Sequence, residues 1–109
     1  MKEFDEYQKV ARSSAIYPMN MPVIYPALGL AGETGEVLDK IKKIYRDNNM
    51  EFDKEHRTAI AKELGDVLWY LTNLAEDLGF NLSDVAQMNA DKIESRKERN
   101  VIHGEGDDR

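Results

Sequence analysis

Glu33-Thr34-Gly35-Glu36-Val37-Leu38-Asp39-Lys40-Ile41-Lys42-Lys43-Ile44 is the stretch that decides the fold. Leu30, Val37, Ile41 and Ile44 recur at helical spacing, so an amphipathic helix is expected from about Ala27 to about Asp47, with Asn48-Asn49 as its stop. Glu33 and Glu36, three apart, are neighbours on one face of that helix. At ~100° per residue their direction also falls close to Val37, Lys40 and Ile44. The acids therefore interrupt the apolar stripe, whereas Asp39, Lys42 and Lys43 are placed on the polar face. The pattern returns at Glu63-Leu64-Gly65-Asp66, which projects with Val67, Tyr70 and Leu74 on a further helix from about Glu55 to Leu78. Two such helices facing each other converge four carboxylates, which repel strongly in an apolar setting unless cations neutralise them. Oxygen-only ligands of this kind suit a hard divalent ion, Mg²⁺ first.

The remaining segments keep the helical period. Phe4, Tyr7, Val10 and Ala11 predict a short amphipathic helix from Lys2 to about Ser14. Ile16 to Pro26 is a break, because Pro18, Pro22 and Pro26 each disfavour helix at the residue before them. Met50 to Lys54 is a short connection, Gly79 suits a helix C-terminal cap, and Ser83 followed by Asp84 is an N-cap for a helix through about Arg99. No β-alternation of useful length occurs. The expected fold is all-α, a four-helix bundle over residues 1–99 with a polar tail, 100–109, folded over a neighbouring chain or left disordered. Leu28, Leu38, Leu68 and Trp69 project away from the acid-bearing stripes. A helix apolar on more than one side must be buried on more than one side, so self-association into a homo-oligomer is expected.

Bulk properties bound the function. At 109 residues the chain is a single small domain's worth, and its net charge of −6 argues against binding a nucleic-acid polymer. The chain has no cysteine, which removes disulfides, thiolate metal sites and cysteine nucleophiles together. No apolar run could span a bilayer, and the opening Met1-Lys-Glu-Phe-Asp-Glu is too polar for a signal peptide. A cytoplasmic protein with no membrane partner is expected.

A lone acidic pair on a helix is ordinarily a solvated edge, partnered by Lys or Arg. Two pairs, both set into apolar stripes of adjacent helices, favour a site. Gly32, Gly35 and Gly65 flank these acids, and glycine within a helix costs about 1 kcal/mol relative to alanine. Close approach of a second helix or a ligand at those glycines would offset that cost.

At these residues the chain resembles the MazG-type, all-α nucleoside triphosphate pyrophosphohydrolases, whose signature is ExxE, a spacer, then ExxD. Here the spacer between Glu36 and Glu63 is twenty-six residues. The likeness extends through Leu28-Gly-Leu-Ala-Gly-Glu-Thr-Gly-Glu-Val, Lys62-Glu-Leu-Gly-Asp-Val-Leu-Trp-Tyr-Leu and a third block, Asn89-x-x-Lys92-x-x-x-Arg96. Many members carry a further Glu directly before the first acid, where this chain has Gly32, so one extra metal or water contact is missing from the pattern.

The resemblance implies Mg²⁺- or Mn²⁺-dependent hydrolysis of an NTP or dNTP to the monophosphate and pyrophosphate, by attack of water at the α-phosphate. Glu33, Glu36, Glu63 and Asp66 would be the metal ligands, with Glu36 the first choice as proton acceptor and Glu63 beside it in catalysis. Lys40, one turn after Glu36, would reach the phosphates, as would Lys92 and Arg96 of the third block, and Asn89 would contact sugar or phosphate. Tyr70, one turn beyond Asp66, would stack on base or sugar. Trp69, in contrast, is placed in the core or an interface. Tyr7, Gln8, Tyr17 and Tyr25 are read first as structural, and His56 and His103 as surface residues. Two other readings fit the acids: a phosphoribosyl-ATP pyrophosphohydrolase-like enzyme, and a non-enzymatic, metal-stabilised helical interaction module needing neither Lys92 nor Arg96. A di-iron centre would want Glu-x-x-His pairs, which these helices lack.

Overall fold

The computed structural model describes residues 2–18 and 20–109; Met1, and Met19 within the Pro-rich break, lie outside the described residues. Four helices follow in order: α1 (Lys2–Ser13), α2 (Ile24–Asp47), α3 (Lys54–Asp77) and α4 (Leu82–Glu98). Among the described residues there is no strand, so the fold is all-α. α2 and α3 run antiparallel along their lengths: Gly29 lies against Tyr70, and Lys40 pairs with Glu63 further down. α1 packs on α3 and α4, α4 also meets α3, and α2 touches α3 alone.

Capping fixes the helix ends. Asp53 caps α3 by accepting the His56 backbone N–H at 2.9 Å. Gly79 (φ 84°) ends that helix in a Schellman motif: Phe80 N–H donates to Ala75 O and Gly79 N–H to Glu76 O. α2 begins at Ile24, three residues before the position expected from Pro26. Pro26 stands in the first turn, where a missing N–H leaves no helical bond unmade. Val23 launches the helix from φ 67°, ψ −57°, with Ile24 N–H donating to Pro22 O. That is a γ-turn a β-branched residue rarely adopts. α4 starts earlier than expected too, with Asn81 and not Ser83 as N-cap; the Asp84 carboxylate accepts Asn81 N–H at 3.1 Å. The Ser83 hydroxyl is instead used by Asp5 of α1, at 2.8 Å.

Polar groups join α1 to the α3–α4 turn. Gln8, buried, donates to the Glu76 carboxylate and to Phe80 O while accepting from Leu82 N–H. Asp77, its side chain only 2% exposed, accepts from Val23 N–H (2.9 Å), the Tyr17 hydroxyl (2.7 Å) and Arg12 (2.8 Å). Tyr17 in turn stacks on Tyr25 at 5.0 Å. The α1–α3 end of the molecule is thereby clasped to the start of α2.

The apolar core is thin. Among the described residues the fully buried apolar side chains are few, led by Ala11, Ile44 and Leu82, while Ile24, Leu28, Leu38 and Tyr45 of α2 are each more than half exposed. The radius of gyration is 16.8 Å, against about 13 Å expected for a compact chain of this length. The accessible area of 8006 Å² likewise exceeds the roughly 6,200 Å² expected for a monomer of this mass.

Candidate metal centre

Glu33 on α2 and Glu63 and Asp66 on α3 each offer a carboxylate oxygen, and these atoms lie within 4.8 Å of one another. The antiparallel packing of α2 on α3 brings the two acidic motifs level, and spacing of three keeps Glu63 and Asp66 on one face. Glu33 and Glu63 are half-buried and Asp66 is exposed. Burial first, then the charges of Asp66, Glu63 and Glu36 and a hydrogen bond with Glu63, raise the Glu33 carboxyl above its ordinary value. Lys40 supplies a nearby positive charge, 3.7 Å from Glu63.

The donor set fits a hard divalent cation: oxygen ligands only, excess negative charge, and one side open to solvent for water and phosphate. Glu36 is exposed and is not one of the three that converge, although its charge is felt at Glu33.

Beside the acids, Glu33, Asp66, Trp69 and Tyr70 line an open pocket of about 310 Å³. Trp69 and Tyr70 meet edge to face at 5.0 Å, and Trp69 Nε1–H donates to the Ser14 hydroxyl at 2.9 Å. Sequence reasoning placed Trp69 in the core or an interface, yet it follows Asp66 by three, the same spacing that pairs the acids. That spacing was the available signal. Gly29 was missed as well. A Cβ there would lie 2.1 Å from the Tyr70 ring, so the absent side chain is what lets Tyr70 rest on α2. Gly32, Gly35 and Gly65, where close packing was expected, would each direct a Cβ into open space within this chain.

Tyr70 is held above the ordinary phenol range by burial first, then by Tyr25, Glu33 and Asp66. Tyr7 of α1 is raised by burial and by the Asp66 charge, which places it near the acids. Tyr17 and Gln8 do structural work in the clasps described above. At the other end, a groove of about 290 Å³ is lined by Lys40, Lys43, Ile44 and His56 among others. His56 Nδ1 bonds Asp53 at 2.7 Å.

Asn89, Lys92 and Arg96 stand on α4, which packs on α1 and α3 and not on α2. Asn89 is exposed. Lys92 and Arg96 are engaged by the tail: Asp107 lies 2.7 Å from Lys92 Nζ and 3.5 Å from Arg96. The tail folds back on its own α4, whereas disorder was one arrangement expected for it.

Residues 26–101 match the MazG nucleotide pyrophosphohydrolase domain, a span holding all four acids of the two motifs and the third block. The chain is also 44% identical to the Gene 37 protein of Mycobacterium phage L5 over 111 residues, covering 96% of this chain and 97% of that protein. No solved structure matches it. Among the described residues no helix is long and apolar enough to cross a membrane. With the domain match covering well over half of its length, the chain belongs to the MazG nucleotide pyrophosphohydrolase family.

Proposed function

We propose that the protein hydrolyses a nucleoside or deoxynucleoside triphosphate to the monophosphate and pyrophosphate, using Mg²⁺ or Mn²⁺. The observation that carries this reading is the convergence of Glu33, Glu63 and Asp66 within 4.8 Å beside an aromatic pocket. These three carboxylates would hold the metal, with Glu36, one turn from Glu33, swinging in as a fourth. A divalent ion so held supplies charge neutralisation at phosphate oxygens and a lowered pKa for bound water.

The chain's own groups set the polarity of the substrate. Trp69 and Tyr70 offer an aromatic wall for base or sugar on one side of the acids. Lys40, lining the groove on the other side, would balance negative charge of the β- and γ-phosphates. Glu36, exposed one turn from Glu33, is the first choice in this reading to accept a proton from the attacking water. Glu63, 3.7 Å from Lys40, would orient the site.

Self-association completes the assembly in this proposal. α2 packs on α3 alone, its outer face carries Ile24, Leu28, Leu38 and Tyr45, and the accessible area exceeds that of a compact monomer of this mass. A second chain laid on that face, as a dimer or tetramer, would bring its α4, with Asn89, Lys92 and Arg96, towards the nucleotide.

The test is a panel of eight NTPs and dNTPs incubated with purified protein and Mg²⁺, the products separated by anion exchange. Monophosphate plus pyrophosphate is expected, abolished in Glu63→Gln and lowered at least about 100-fold in kcat in Glu36→Gln. Diphosphate plus phosphate would reject attack at the α-phosphate. No turnover with either metal would hand the site to a larger substrate or to a binding role.

A further inference from the structure

Residues 100–109 form a built strap. Asn100 (φ 57°) ends α4 in a Schellman motif, with Val101 N–H donating to Arg96 O and Asn100 N–H to Lys97 O, which turns the chain back along the helix. Arg109 closes the strap by donating to Val101 O (3.1 Å), Ile102 O (2.6 Å) and Gly106 O (2.7 Å). Arg99 reaches Arg109 O from the helix. Gly104 (φ 141°) makes room for this, since a Cβ there would meet Arg109 Cδ at 3.1 Å.

What the strap covers is a cation pair. Lys92 and Arg96, one turn apart on α4, both face Asp107: its carboxylate meets Lys92 Nζ at 2.7 Å and Arg96 at 3.5 Å, and its carbonyl accepts from Arg96. The two cations hold the Asp107 carboxyl below its usual range, Lys92 first. Among the described residues Asp107 is the acid that pairs with either cation. It satisfies them incompletely. Arg96, only 14% exposed, keeps its buried Nε–H without an acceptor.

We propose that Asp107 occupies the Lys92–Arg96 pair as a stand-in for a ligand phosphate, and that a polyphosphate binds there by displacing the strap. One carboxylate charge against two cations leaves net positive charge, whereas a polyphosphate brings more charge and enough acceptor oxygens for both side chains, Arg96 Nε included. Asp107 itself is 79% exposed, so its grip is screened and readily exchanged. The strap thereby tunes affinity at this pair, and it keeps the cations from binding monoanions. This inference rests on the pyrophosphohydrolase reading only for the nature of the natural ligand.

The test uses the full chain, without divalent ions and with chelator, so that pyrophosphate is repelled from the acidic cluster. Pyrophosphate is titrated while the backbone amides of Val101 to Arg109 are followed by NMR. Those amides are expected to move towards the shifts of unstructured chain, and Asp107→Asn is expected to bind pyrophosphate about threefold to tenfold more tightly. Arg96→Gln is expected to abolish both responses. Binding that leaves the strap amides unmoved would overturn the proposal, as would equal affinities of the wild-type and Asp107→Asn proteins or no binding by either. Strap displacement by pyrophosphate without turnover of any nucleotide would sink the enzymatic reading and leave the strap standing. Turnover with the same KM in wild type and Asp107→Asn, the strap unmoved, would do the reverse.

Discussion

Replacing Asp77 by alanine removes the acceptor that clasps the start of α2 to α3. The side chain is 2% exposed and takes hydrogen bonds from Val23 N–H, the Tyr17 hydroxyl and Arg12. Hydrogen bonds to a charged group contribute about 1.5–3 kcal/mol each. Taking the lower end for the Val23 and Tyr17 arms gives about 3 kcal/mol. The Arg12 arm, on a guanidinium side chain 41% exposed, adds less than about 1 kcal/mol. Against this, letting Val23 relax from φ 67° returns about 1 kcal/mol. The net loss is about 2–3 kcal/mol. With a urea slope of about 1.5 kcal/mol per molar, the unfolding midpoint should fall by about 1.3–2 M. Asp77→Asn keeps an acceptor of the same shape and should lose roughly half as much.

The pH dependence supplies an independent check. Burial pushes the Asp77 carboxyl up, but the Val23 N–H, the Tyr17 hydroxyl and the Arg12 guanidinium together outweigh it, so its pKa lies below the ordinary 3.8. A carboxylate with a depressed folded-state pKa stabilises fully above its unfolded pKa, and that stability is lost as pH falls through the folded value. The gap between wild type and Asp77→Asn should therefore be full at about pH 7, and shrink steadily below about pH 4. A midpoint shift under about 0.5 M in Asp77→Ala, or a gap unchanged at about pH 2.5, would refute this account of the clasp.

Two further perturbations address the site. Gly29→Ala drives a Cβ to 2.1 Å from the Tyr70 ring and should cost about 1–3 kcal/mol by overpacking; in a double-mutant cycle Tyr70→Ala should remove most of that cost, and additive losses would exclude the contact. Glu33→Gln relieves two carboxylate neighbours lying within 4.8 Å, worth about 1 kcal/mol each in a water-like dielectric, offset in part by the lost hydrogen bond to Glu63. The metal-free variant should melt about 4 °C or more above wild type, and it should lose the upward shift that Mg²⁺ gives the parent; a retained Mg²⁺ shift would remove Glu33 from the ligand set.

Much of this architecture is legible in the chain itself. The 3.6-residue period of Leu30, Val37, Ile41 and Ile44, and of Ile60, Val67, Leu71 and Leu74, requires two long helices wherever they pack. Gly79 ends α3 as read, because only a residue free to take φ 84° completes that cap cheaply. The acidic spacing of three put Glu63 and Asp66 on one face before any packing was known. Lys40 likewise followed from its register.

Tertiary structure decided what local rules cannot reach. The start of α2 depends on a carboxylate fifty-four residues away, since Asp77 holds Val23 in its turn. No local propensity encodes that bond. Gly29 rather than Gly32, Gly35 or Gly65 is the point of close approach, because the relative placement of α2 and α3 selects which glycine meets a ring. Packing also separated the cations: Lys40 is delivered to the acids, whereas α4 carries Lys92 and Arg96 to Asp107. The sequence by itself determined the helices and the chemical kinds of their faces, because periodicity is a property of the backbone. Which faces meet was settled only by the fold, because a contact is the joint property of two distant segments and the space between them.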